Sequence, residues 1–151
     1  WVKQYDNSDV IENKFKIGDI KWDKCFSSDL SRAIKTSQSI SKGEIIKTKL
    51  LREVPIAPIF NTNIKIPYIF WCISGRFAWF FQCKSQIEKK KDTQKRVNEF
   101  LDSIKDESSN NILIVCHGFF MNTLQKELKS RGVTGRTIRT PKNGTLYLYK
   151  K

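Results

Sequence analysis

At 151 residues the chain suits one domain with one core, and its 39% apolar and 12% aromatic residues can fold without disulfide staples. Twenty-eight basic against fifteen acidic residues give a net charge of +13, which attracts anions in general; a solvated lysine-rich surface explains it equally. One histidine and four cysteines with no C-x-x-C pair argue against a zinc site, so no metal and no cofactor is expected.

The chain opens on Trp1 rather than Met, with no charged-then-apolar leader behind it, and we read it as trimmed at its N-terminus. Residues 2–20 are polar with scattered apolar positions and predict a short amphipathic helix ending before Gly18. Trp22 to Phe26 reads as a strand. Ser28 or Asp29 then caps a helix through Leu30, Ala33, Ile34 and Ser37, which Gly43 stops. Glu44 to Leu50 reads as a second strand, and residues 51–63, with Pro55 and Pro58, as loop.

The aromatic run Ile66 to Phe81 is shorter than the roughly 20 residues a bilayer needs, and Pro67, Gly75 and Arg76 interrupt it. It predicts a buried or capping helix within a helical insertion over 64–96. Phe70, Phe77 and Phe81 are expected on its packing face, with Trp71, Arg76 and Trp79 as the alternative, substrate-facing set. Arg96 and the run Lys89-Lys-Lys91 are expected to be solvated. Val97, Phe100, Leu101 and Ile104 form the stripe of the next helix. Ile112 to Cys116 is the strongest strand, continuous and β-branched, and predicts burial on both faces. It runs into His117-Gly118 and a helix with Phe119, Phe120, Leu124 and Leu128; Thr145 to Tyr149 alternates like a final strand. Cys25 and Cys116, within apolar runs, are expected to be buried reduced thiols, which favours the cytoplasm.

Strands alternating with helices predict a single α/β domain, 1–151: a three-layer sandwich with a largely parallel sheet flanked by helices. Ligands of such sheets bind beyond the carboxyl ends of the strands, where helix N-termini point their N–H groups outward. Two junctions put polar residues there, Cys25-Phe-Ser-Ser-Asp-Leu-Ser-Arg-Ala33 and Val115-Cys-His-Gly118. An arginine fork and a fixed imidazole suit phosphate, and a glycine admits an oxyanion close to the backbone.

These segments carry a resemblance. Cys25-Phe-Ser-Ser-Asp-Leu-Ser-Arg-Ala-Ile-Lys-Thr36 resembles the S-x-L-x-R-A-x-x-T signature of histidine phosphatases and phosphoglycerate-mutase-like proteins. Ile112-Leu-Ile-Val-Cys-His-Gly118 resembles their apolar strand ending in His-Gly, and Leu51-Arg-Glu-Val54 the segment holding an acidic proton donor. The resemblance implies that His117 binds the phosphoryl group and stabilises its transition state, that Arg32 clamps it, and that Glu53 protonates the leaving oxygen. Gly118 and Ser28 would be further phosphate ligands. The implied chemistry is hydrolysis of a small phosphorylated metabolite through a phosphohistidine. The family's opening strand, ending Arg-His-Gly, is absent from this sequence, so turnover is expected to be nil or nearly so. A catalytically dead scaffold holding a partner or phosphorylated ligand, and a mutase-type phosphotransferase, are the alternatives. No specific nucleic acid and no membrane are expected as partners; oligomeric state is left open.

Overall fold

The computed structural model describes residues 20–59, 67–109 and 111–151. The helix expected to end before Gly18 therefore lies outside the described residues, as do parts of the 51–63 loop and of the 64–96 insertion.

Three parallel strands form the central sheet: β1 (Lys24–Ser28) in the middle, β2 (Ile45–Thr48) on one side and β3 (Ile112–Val115) on the other. Cys25 registers with Ile45 and Leu113, and Phe26 with Ile46 and Ile114. Helix α1 (Ser31–Ile40) makes the crossover from β1 to β2. A 3-10 turn, Lys49–Leu51, follows β2, its Leu50 N–H capped by Thr48 Oγ1 at 3.2 Å. Helices α2 (Tyr68–Phe80), α3 (Lys90–Ser103) and α4 (Gly118–Ser130) complete the layers. The α/β sandwich with its parallel sheet is thus the fold of the chain.

One core joins them. Phe26 from the sheet meets Phe100 edge-on at 5.6 Å, and Leu51, Val54, Trp79, Val97, Leu101, Phe120 and Leu124 close around the pair. Helix α3 faces this core with Thr93, Val97, Phe100 and Leu101, the stripe its periodicity predicts extended by one hydroxyl. Helix α4 stops where Gly132 adopts φ +82°, with the Val133 N–H returning to the Leu128 carbonyl at 3.0 Å.

Several expectations are corrected. On α2 the buried residues are Gly75, Ala78 and Trp79, whereas Phe70, Phe77 and Phe81 are 60%, 60% and 69% exposed. A helix that is apolar all round offers no preferred face. The small side wins, because a Cβ at Gly75 would stand 2.3 Å from Ile56 Cγ2 of the crossing loop. Neither Ser28 nor Asp29 caps α1, whose N-cap is Leu30 without a side-chain bond. The Ser28 hydroxyl and the Asp29 carboxylate are taken by partners distant in sequence.

Strand β3 buries only Leu113 fully, because among the described residues it pairs on one side alone. The last ladder is shorter than expected, β4 (Thr134–Gly135) antiparallel to β5 (Tyr149–Lys150). Tyr147 leaves the ladder to accept the Lys142 N–H through its hydroxyl at 2.9 Å. Among the cysteines, all four free, Cys25 is buried, Cys72 and Cys116 are half-buried and Cys83 is exposed. No helix among the described residues is long and apolar enough to cross a membrane.

Candidate functional site

Strands β1 and β3 run parallel side by side, so the residues that follow them emerge at the same edge of the sheet. Ser27 and Ser28 end β1, and His117 directly precedes α4 as its N-cap residue, with extended backbone at φ −110° and ψ 156°. A histidine between a strand and a helix start has little freedom, and His117 is only 6% exposed.

Its ring is held at both nitrogens. Arg32, one residue into α1, donates its Nε–H to His117 Nδ1 at 3.2 Å. His117 Nε2 lies 2.9 Å from Ser28 Oγ. Because Nδ1 accepts, the neutral ring carries its proton on Nε2 and donates it to Ser28, whose oxygen also accepts the Leu30 N–H at 3.3 Å. The structure therefore joins Ser28, Arg32 and His117 in one hydrogen-bonded chain.

The imidazole is neutral near pH 7. Burial pushes the pKa of His117 down to about 4, helped by the positive charges of Arg32 and then Arg96, with Asp29 pulling the other way. Asp29 is itself clasped by Arg52 in a two-pronged pair at 2.6 and 2.7 Å. That hydrogen bond holds the Asp29 carboxyl below its ordinary range.

Glu53 comes to the same edge by another route. Its two oxygens accept the Phe120 N–H at 3.1 Å and the Phe119 N–H at 3.4 Å, the exposed amides of the first turn of α4. Arg76 reaches across from α2, its guanidinium 3.6 Å from the centre of the Phe119 ring and bonded to the Val54 carbonyl at 3.1 Å. Trp79 is buried and meets Phe119 edge-on at 4.9 Å. Trp71 is half-buried on the same helix. Gly118 has neither a positive φ nor a steric need to be glycine, since an added Cβ would meet only Pro141 Cβ, at 3.9 Å. Neither backbone nor packing requires a glycine there.

Arg96 is not a solvated residue. Its side chain is 16% exposed, grips both oxygens of Glu88 at 2.8 and 3.0 Å, and donates to the carbonyls of Leu50 at 3.0 Å and Arg52 at 2.7 Å. Glu88 in turn accepts the Thr93 hydroxyl, which accepts the Trp79 indole N–H. This network fastens the segment carrying Glu53. Sequence reasoning missed it, because a lone arginine on a polar helix face carries no sign of its distant acceptors. Among the described residues no group of His, Cys, Asp and Glu is arranged to hold a metal ion.

An imidazole, a guanidinium and a hydroxyl at one sheet edge, beside helix-start amides that Glu53 occupies, suit an oxyanion. Searches among curated proteins and among solved structures returned no match. The model of the histidine phosphatase superfamily (branch 1) matches residues 15–149. That span takes in every residue of the site and nearly the whole chain, and on it we place this protein in the histidine phosphatase superfamily.

Proposed function

We propose that the chain is a phosphomonoester-handling domain whose anion pocket lies between Arg32 and His117. One observation carries this reading: the 3.2 Å hydrogen bond between two groups that each suit a phosphoryl oxygen. An incoming dianion would replace that bond with one from the guanidinium and one from the imidazole, while its charge raises the affinity of Nδ1 for a proton. The first-turn amides of α4 would take a third oxygen, beside Gly118. Glu53 would then exchange its amide partners for the ester oxygen, which it would protonate only as a nucleophile from outside these residues takes the phosphoryl group.

Transfer through a phosphohistidine needs an attacking imidazole besides His117, and His117 is the single histidine of this sequence. We therefore propose phosphoester binding with negligible hydrolysis by these 151 residues. The same fact favours the second reading, a phosphate-binding scaffold that never turns over. The ligand class is a small phosphorylated metabolite, and the four free cysteines support a reducing compartment such as the cytoplasm.

Titration with inorganic phosphate or vanadate, followed by the ring resonances of His117, tests the pocket. Saturable shifts abolished by Arg32→Ala are expected, and shifts that survive this change would place the anion elsewhere. Clear turnover of an aryl phosphate, lost in His117→Ala, would overturn the inactivity of this chain.

A further inference from the structure

The segment after α4 folds back along that helix. The side-chain amide of Gln125 holds both ends of the Ile138 peptide unit, accepting its N–H at 2.9 Å and donating to its carbonyl, and Ile138 is 8% exposed. Three residues on, Pro141 touches the position of Gly118. Gly118 and Gln125 are seven residues apart on one helix, roughly 10 Å. The returning segment therefore runs from the middle of α4 to the edge of the anion pocket.

Along this run the protein opens a cleft of about 360 Å³. Arg136, Arg139 and Lys142 line it, with the hydroxyl groups of Thr140, Thr145 and Tyr147, and no acidic residue does. Among the described residues none of the three cations forms an ion pair. By contrast, Arg52, Arg96 and Arg131 are matched to carboxylates. Cations without a carboxylate partner, gathered along one concave surface, favour an anion there.

We propose that this cleft is a second anion subsite, which receives a phosphoryl or carboxylate group carried on the leaving-group side of the ester. The inference rests on the reading of Arg32 and His117 as the site of the reacting phosphoryl group. It narrows the substrate to small metabolites that carry a second anionic group besides the phosphoryl ester. Esters of uncharged alcohols fill the first pocket only.

Binding to the 151-residue chain tests this with three probes: propyl phosphate, 1,3-propanediol bisphosphate and 3-(phosphonooxy)propanoate. At least one doubly anionic probe should bind about tenfold or more tightly than propyl phosphate, as expected for added charge-assisted hydrogen bonds. The variant Arg136→Gln/Arg139→Gln/Lys142→Gln should erase that advantage while leaving propyl phosphate unchanged. The control Lys89→Gln/Lys90→Gln/Lys91→Gln removes equal charge elsewhere and should retain it. No advantage in the native chain, an advantage that survives the first variant, or equal loss in the control would each overturn the subsite. Failure of propyl phosphate to perturb His117 would instead overturn the reading of the first pocket.

Discussion

Arg32 Nε and His117 Nδ1, 85 residues apart in sequence, share a 3.2 Å hydrogen bond at the carboxyl edge of the sheet. The bond fixes the tautomer of the ring and keeps a positive charge beside it. With Ser28 at the other nitrogen, the imidazole is pinned on both sides.

Removing the guanidinium should move the titration of His117. Burial is the larger cause of its low pKa and Arg32 the next, so Arg32→Ala should raise the value from about 4 but leave it below the ordinary 6.5. As this is the chain's one histidine, its ring resonances give the titration without ambiguity. A value unchanged or lower in the variant would contradict the assignment of the bond.

Stability should fall on mild acidification. The unfolded chain protonates its histidine near 6.5 and the folded chain only near 4, so between these values the unfolded state binds more protons. The contribution is fully present above pH 6.5 and is lost as pH falls through the window, about 3 kcal/mol in all. Urea unfolding at pH 7.5 and pH 4.5 reads it, and His117→Gln should flatten this part of the profile. A native profile already flat there would refute the buried neutral ring.

Gly118→Ala separates fold from ligand binding. The added methyl meets only Pro141 at ordinary contact distance, so the melting temperature should stay the same or rise slightly. Phosphate binding should weaken about tenfold, through loss of close approach to the first-turn amides. Undiminished binding would show that the glycine serves no anion.

Glu53 anchors the start of α4. Glu53→Ala leaves the Phe119 and Phe120 amides without their acceptor and should cost about 1–2 kcal/mol in denaturant unfolding. Glu53→Gln keeps an acceptor oxygen and should cost less. Equal losses in the two variants would assign the effect to charge alone.

The exposed aromatics of α2 should be nearly silent for folding. Phe70→Ser, Phe77→Ser and Phe81→Ser each remove a ring that is at least 60% exposed, and each should change stability by under about 0.5 kcal/mol. Trp79→Ala, which empties a core position and breaks the bond to Thr93, should cost about 3–5 kcal/mol.

The parts legible in the sequence are those set by local pattern. Ile112–Val115 announces a strand because four apolar residues, three of them β-branched, precede His-Gly, and Arg32 follows from its place one turn beyond Ser28. What escaped depends on distant partners. Ser28 and Asp29 carry capping chemistry, but His117 and Arg52 claim their oxygens. Arg96 reads as a wet residue until the Leu50 carbonyl, 46 positions away, is found to accept from it. In α2 the apolar residues surround the helix, so no periodicity could single out Gly75 and Ala78 as the buried side. The three cations within the seven residues 136–142 were visible, but only the fold shows that they share a cleft.

The register of the sheet also dictates when the pocket comes into being. Strand β1 meets β2 after a short crossover, Cys25 against Ile45, whereas its pairing with β3 sets Lys24 against Ile112. The first closure is local and quick; the second waits for most of the polypeptide and is entropically slower. By chain length alone, the ladder beside Arg32 can close before the stretch that carries His117 arrives.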